Sequence, residues 1–331
     1  MPQEFLHRCR TRGFDAARAP DRLPGLSSPT SAPANSSGAL AAAASFLLWG
    51  VFPLYWKQLH DISAFELIAH RIVWSLLFLA VLQAAQRNFG ELRPAFANGR
   101  IFGLNLLSSV LLATNWTIYV WAVNADHIIE TSLGYFLTPL CNVAMGCLVF
   151  RERLRPLQWA AILLAVGGVG LMLFAVGHVP WIALSLAVTW TGYGLLKKLS
   201  ALGSVVGLTV ETILLLPLAA GLLLWRAHTG EGALGHVGLR QHVYILSAGT
   251  VTAIPLLLFA YGAKRIRMTT LGLLQYAAPT VQFFIGLLVY HEPFDSARLQ
   301  AFALIWCGLA LYSADSFWAQ RRMFRRAVRT A

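Results

Sequence analysis

The chain has 331 residues, of which 57% are hydrophobic and only 12% charged. A soluble chain needs roughly a quarter of its residues charged to cover its surface, so much of this surface faces lipid. The net charge of +12 is not gathered into one patch; Lys and Arg fall in short clusters between apolar runs and at the termini, which excludes a nucleic-acid partner.

Residues 1–38 are rich in Arg, Ala, Pro and Ser, contain no apolar run, and read as a disordered basic tail rather than a signal peptide. From Ala39 onward apolar runs of about 17 to 24 residues recur, enough to cross a hydrocarbon core of roughly 30 Å at about 1.5 Å per residue. They predict an all-α integral membrane protein of ten transmembrane helices over 39–56, 65–86, 101–123, 128–150, 157–176, 179–196, 205–225, 241–263, 268–290 and 298–318. Residues 319–331 form a second basic tail. The runs are continuous rather than alternating, which excludes a β-barrel.

Counting Lys and Arg in the connections orients these helices. One side receives the five N-terminal arginines, Arg87, Arg93, Arg100, Arg151, Arg153, Arg155, Lys197, Lys198, Lys264, Arg265, Arg267 and the five arginines from Arg321 to Arg329. The other receives Lys57, Arg226, Arg240 and Arg298, and Arg71 falls inside a span. Both termini are therefore expected in the cytoplasm.

A constant offset of 140 residues superposes Ser45 on Ser185, Lys57 on Lys197, Pro139 on Pro279, Gly146 on Gly286, Glu152 on Glu292 and Gly168 on Gly308 without gaps. The chain thus reads as two five-helix repeats, 39–176 and 177–318. Five is odd, so the second repeat enters the membrane from the opposite face. Inverted-topology repeats are a recurrent architecture of secondary transporters, with the substrate site near midplane between them.

The polar residues at that depth are the candidate site. Tyr135, Thr138, Pro139 and Asn142 in the fourth helix, and Gln275, Ala278, Pro279 and Gln282 in the ninth, follow an i, i+3, i+4, i+7 spacing that puts each set on one face. Each proline frees the carbonyl four residues earlier, at Tyr135 and Gln275. Such groups either line a cavity or serve as interhelical glue. Asn115 and Tyr119 in the third helix and Trp49 in the first join the candidates, while Tyr55 and Trp56 also suit an aromatic belt. Arg71 and Glu211 are charges inside spans at equivalent repeat positions. They mark the two ends of a pathway or snorkel to their nearer interfaces. A direct ion pair between them is disfavoured by depth, and His70 points to a different helix face from Arg71.

Glu152 and Glu292 precede helices whose N-termini a carboxylate would complement. The four cysteines, Cys9, Cys141, Cys147 and Cys307, show neither metal spacing nor a disulfide framework. There is no phosphate loop, Ser-His-Asp set or catalytic carboxylate pair, so neither an enzyme nor a cofactor is expected.

Several stretches carry a resemblance: Trp49-Gly50 with Pro53-Leu54-Tyr55-Trp56-Lys57, Ala69-His70-Arg71-Ile72 with Trp74-Ser75, Asn115-Trp116 with Tyr119 and Trp121-Ala122-Val123-Asn124, Ser132 to Phe136, and Leu274-Gln275-Tyr276 with Pro279-Thr280 and Gln282-Phe283. Together they resemble RarD-type members of the EamA family, in the drug/metabolite transporter superfamily. Thr138 stands where that family would have an asparagine. The resemblance implies a ten-helix inverted-repeat carrier in the bacterial cytoplasmic (inner) membrane, associated with chloramphenicol sensitivity and metabolite export. The expected function is a secondary transporter moving a small-molecule substrate, a metabolite or drug-like compound, by alternating access. Proton coupling would fall first to Glu211 or His70. The competing reading is a non-transporting membrane scaffold or sensor with a dry centre.

Overall fold

A computed structural model gives the structure of residues 36–330, apart from 88, 126, 177–178 and 292–295. Glu292 and nearly all of the 1–38 tail lie outside the described residues, whereas Ser36 to Gly38 already belong to the first helix. The long helices are α1 (Ser36–Trp56), α2 (Ala64–Gln86), a short α3 (Leu92–Ala97), α4 (Gly99–Asn124), α5 (Ile128–Leu148), α6 (Pro156–Val176) and α7 (Trp181–Leu199). They continue as α8 (Ser204–Thr229), α9 (Leu239–Arg265), α10 (Met268–Gln275), α11 (Ala277–Leu288) and α12 (Ser296–Thr330).

Among the described residues eight helical segments are long and apolar enough to cross a membrane, with α10 and α11 counted as one. The chain is therefore a multi-pass, all-α membrane protein. Of the remaining long helices, α5 and α7 are diluted by Glu130, Thr131, Thr138 and Asn142 in one and by Thr189, Thr191, Lys197 and Lys198 in the other. The backbone of α12 runs helically to Thr330, so the basic C-terminal stretch continues the last helix.

Two differences from the predicted spans have clear causes. The span predicted over 268–290 is interrupted at Tyr276, because Pro279 has no N–H to give the Gln275 carbonyl and the helix restarts at Ala277. Its equivalent α5 stays continuous through Pro139. There the Thr138 hydroxyl donates to the neighbouring Gly134 carbonyl at 2.7 Å. The second difference is that α7 runs three residues past its predicted end, to Leu199, which draws Lys197 into the bundle.

Helix pairs recur under the 140-residue offset. α1 packs on α9 and α11, α7 packs on α4 and α5, and α6 packs along α12. A Cβ added to Gly168 would lie 2.7 Å from the Ala301 carbonyl oxygen, and one added to Gly308 would lie 2.6 Å from that of Ala161. These are the same contact displaced by 140 residues in each direction. Arg151 and His291, which follow α5 and α11, both take left-handed backbone, with φ of 51° and 50°.

The connections gather at two ends. At the basic end, the Lys198 ammonium donates to the Ala263 and Ile266 carbonyls and Lys264 donates to Leu202. Glu152 also sits there, accepting from the Met268 and Thr269 amides at 2.7 and 3.0 Å and from the Thr269 hydroxyl at 2.7 Å. A carboxylate at a helix N-terminus complements its dipole; here the helix is α10, in the other half of the chain. At the opposite end, the buried Glu66 accepts from the Ala233 amide at 2.6 Å and from Arg226 at 3.2 Å, pinning the α8–α9 connection.

Candidate functional site

Arg71 stands on α2, roughly 10 Å along the helix from its first residue. Its guanidinium lies 4.4 Å from the Trp116 ring centre and 5.0 Å from that of Trp56. Its Nε donates to the Thr252 hydroxyl on α9 at 2.9 Å. Tyr55, Tyr119 and Tyr135 come within electrostatic reach of it. The rings of Tyr119 on α4 and Tyr135 on α5 meet edge-on at 5.8 Å. They are 37% and 44% exposed.

No carboxylate among the described residues pairs with Arg71. A charged side chain at the centre of a spanning helix costs about 2.5–3.5 kcal/mol. The aromatic faces recover part of this through cation–π attraction, of order 0.5–2 kcal/mol each. The repeat-equivalent charge is handled differently. Glu211 on α8 is almost fully buried and pairs with the equally buried Lys197 at 2.7 Å. It also accepts from the Ser108 hydroxyl at 2.5 Å and from Tyr193 at 3.4 Å. Arg71 and Glu211 do not bond each other, yet both border one cavity of about 20 Å³, with Trp116, Leu208 and Thr252 in its wall. That volume holds about one water.

The other predicted residues pair across helices. The Asn142 side-chain amide donates to the Gln275 side-chain Oε1 at 2.8 Å, joining α5 to α10. Beside them the Tyr276 hydroxyl donates to the carbonyl of Phe136, its own repeat equivalent, at 3.2 Å. Gln282 donates to the Trp49 carbonyl at 3.2 Å, while the Trp49 ring packs among Phe46, Trp190 and Phe259. Asn115 donates to the Leu186 carbonyl and the Thr189 hydroxyl, tying α4 to α7 at 3.0 and 2.9 Å. Pro139 and Pro279 are both buried. His70 faces away from Arg71, 3.7 Å from Glu66, and both its ring nitrogens lack a hydrogen-bond partner. The structure thus brings Arg71, Tyr119 and Tyr135 together and places Asn142 with Gln275 at the junction of the two halves. Sequence reasoning passed over Trp116 and Thr252 beside Arg71. It counted Lys197 as a loop charge, and nothing in the apolar pattern distinguished Glu66 from a first-turn surface acid.

Apolar helices closed at both ends by polar clamps, with charged and amide groups inside, define a polytopic helical membrane protein with a polar interior. The model of the EamA-like transporter family matches residues 36–174. The chain is 42% identical over 280 residues to the uncharacterized transporter YojE of Bacillus subtilis, covering 83% of this chain and 93% of that one. It is 37% identical over 285 residues to protein RarD of Escherichia coli, covering 86% and 96%. The chain belongs to the EamA-like transporter family as a RarD-type member. A solved crystal structure that is 22% identical aligns with a TM-score of 0.66 over 85% of this chain and 98% of its own, a likeness of fold.

Proposed function

We propose that the chain is a secondary transporter that moves a small solute across the bacterial cytoplasmic membrane by alternating access, with net export the direction its family resemblance implies. Ten transmembrane helices form two inverted five-helix repeats, 39–176 and 177–318, and both termini lie in the cytoplasm. The observation that carries this reading is the reciprocal Gly168–Ala301 and Gly308–Ala161 contact. A contact in which residue i meets j′ while i′ meets j is the mark of a two-fold relation. An odd number of helices per repeat turns that two-fold into an axis in the membrane plane. The Asn142–Gln275 bond beside Tyr276 and Phe136 supports a pathway centred where the halves meet.

Flux into reconstituted vesicles tests this, using amino acids, aromatic metabolites and amphenicols with the pH gradient varied. The expected outcome is saturable flux of at least one class. Correctly inserted protein that moves none of them overturns it.

One observation favours the scaffold or sensor: the Asn142 side-chain amide N–H bonds the Gln275 side-chain oxygen in a buried position, as glue would. Pro139→Cys and Pro279→Cys, each in a background without native cysteines, separate the two readings. A transporter exposes at least one of these thiols to a water-soluble reagent; a dry scaffold protects both.

A further inference from the structure

The Arg71 guanidinium combines three features. It carries a charge inside a spanning segment, aromatic rings cover its faces, and its donors are mostly unused. Trp116 and Trp56 lie over the group, while Nε is taken by Thr252. Among the described residues no acceptor takes the two terminal amino groups, and these are not sealed in. Tyr119 and Tyr135, both accessible, lie within electrostatic reach of the guanidinium. A guanidinium held by its faces presents its edge as a fork of parallel N–H donors, the geometry that matches a carboxylate.

The repeat supplies an internal control. The same position in the second half holds Glu211, and there the chain provides its own counter-ion, Lys197 from α7, at 2.7 Å. The residue equivalent to Lys197 is Lys57, which lies over the Tyr290 ring, 3.5 Å from its centre. Among the described residues one of two equivalent inner charges is therefore neutralised by a protein counter-ion and the other is not.

We propose that Arg71, Trp56, Trp116, Tyr119 and Tyr135 form a binding site for an aromatic monocarboxylate, whose anionic group meets the Arg71 fork while its ring lies among the aromatic side chains. The inference deepens the transport reading, because the bound anion is taken to be the cargo. Among the described residues the one carboxylate bordering the Arg71 cavity, Glu211, is already paired with Lys197, and this sets the preference within the class. An amino acid would bring an ammonium group with no anion to receive it, so the monoanion binds more tightly than the zwitterion. The cavity beside Arg71, about 20 Å³, is too small for the ring, which enters from the Tyr119–Tyr135 side.

The test is equilibrium binding to the purified full-length protein near neutral pH with a matched series: 3-phenylpropionate, 3-phenylpropanamide, phenethylamine and phenylalanine. The carboxylate is expected to bind at least about tenfold more tightly than the other three. Arg71→Gln should abolish that preference, and Arg71→Lys should weaken carboxylate binding about tenfold by losing the fork. Trp116→Leu should weaken it without removing the charge preference. Arg240→Gln, which deletes an exposed charge at the same end, should change nothing. Equal binding of all four compounds, no binding of any by folded protein, or undiminished carboxylate binding by folded Arg71→Gln overturns the proposal. Vesicle flux separates it from the transport reading. Arg71-dependent binding without flux keeps the site and removes the carrier, whereas flux of neutral or cationic compounds that ignores Arg71→Gln keeps the carrier and removes the site.

Discussion

Glu211 and Lys197 form an ion pair almost wholly withdrawn from solvent, 2.7 Å apart and supported by the Ser108 hydroxyl at 2.5 Å. Breaking a buried pair from one side strands the other charge and costs about 3–5 kcal/mol, whereas removing both sides costs much less. Lys197→Met and Glu211→Gln are each expected to lower Tm in detergent, and the double variant should lose less than the sum of the two; strictly additive losses would mean that the pair is not coupled. The same pair marks where residue-level reading stops. Glu211 is visible as a charge inside an apolar run, and its equivalence to Arg71 follows from the 140-residue offset. Its partner is not visible, because Lys197 sits beside Lys198 at the edge of an apolar run and counts as a loop cation until the extra turn of α7 carries it inward. Glu66 is hidden for a similar reason. Its partner is the amide of Ala233, and a backbone donor 167 positions away leaves no trace in the local pattern.

Helices in lipid associate through close backbone approach at small residues rather than through the hydrophobic effect. Among the described glycines the tightest is Gly249, where α9 meets α2 and an added Cβ would lie 2.1 Å from the Trp74 carbonyl carbon and 2.3 Å from the Ser75 amide nitrogen. Neither atom belongs to a flexible side chain, so α2 would have to move as a body, and the Ser75 hydroxyl bond to the Gly249 carbonyl, at 3.0 Å, would be lost with it. Gly249→Ala is expected to abolish correctly folded protein, read as loss of the monodisperse peak on size exclusion. Gly170 on α6 has nothing within 4 Å of the added carbon. Gly170→Ala should be neutral or stabilise by up to about 1 kcal/mol, since alanine is the better helix former. Sequence alone does not rank these two glycines, because both sit in unbroken apolar runs. Helix positions were far more readable, as continuous apolar length is all that a span requires. The one span that broke did so just before a proline that was visible, whereas the equivalent Pro139 leaves α5 continuous, a difference that local pattern does not reveal.

Across the whole molecule, the repeat makes a prediction that any parallel arrangement contradicts. Positions 91 and 231 are equivalent under the 140-residue offset; each lies just beyond the second helix of its repeat, in α2–α3 and α8–α9 connections respectively. If the repeats are inverted, these equivalent residues face opposite sides of the membrane; if they are parallel, both face the same side. The first connection carries Arg87 and Arg93, with Arg100 just beyond, while the second has no Lys or Arg between Arg226 and Arg240, so the positive-inside bias places Glu91 in the cytoplasm and Glu231 outside. Both side chains are exposed. The contact of Glu231 with Arg226, at 3.5 Å with the glutamate 60% exposed, is of the surface kind that contributes about 0–1 kcal/mol, so Glu231 can be exchanged without disturbing the Glu66 clamp beneath. Glu91→Cys and Glu231→Cys, in a background lacking the native cysteines, are to be labelled in intact cells with a membrane-impermeant maleimide. Only the thiol at 231 should react before the cells are opened, and both should react afterwards. Reaction at both positions in intact cells, or at neither, would put the two repeats in the same orientation, and with that the two-sided access of a central site would lose its structural basis.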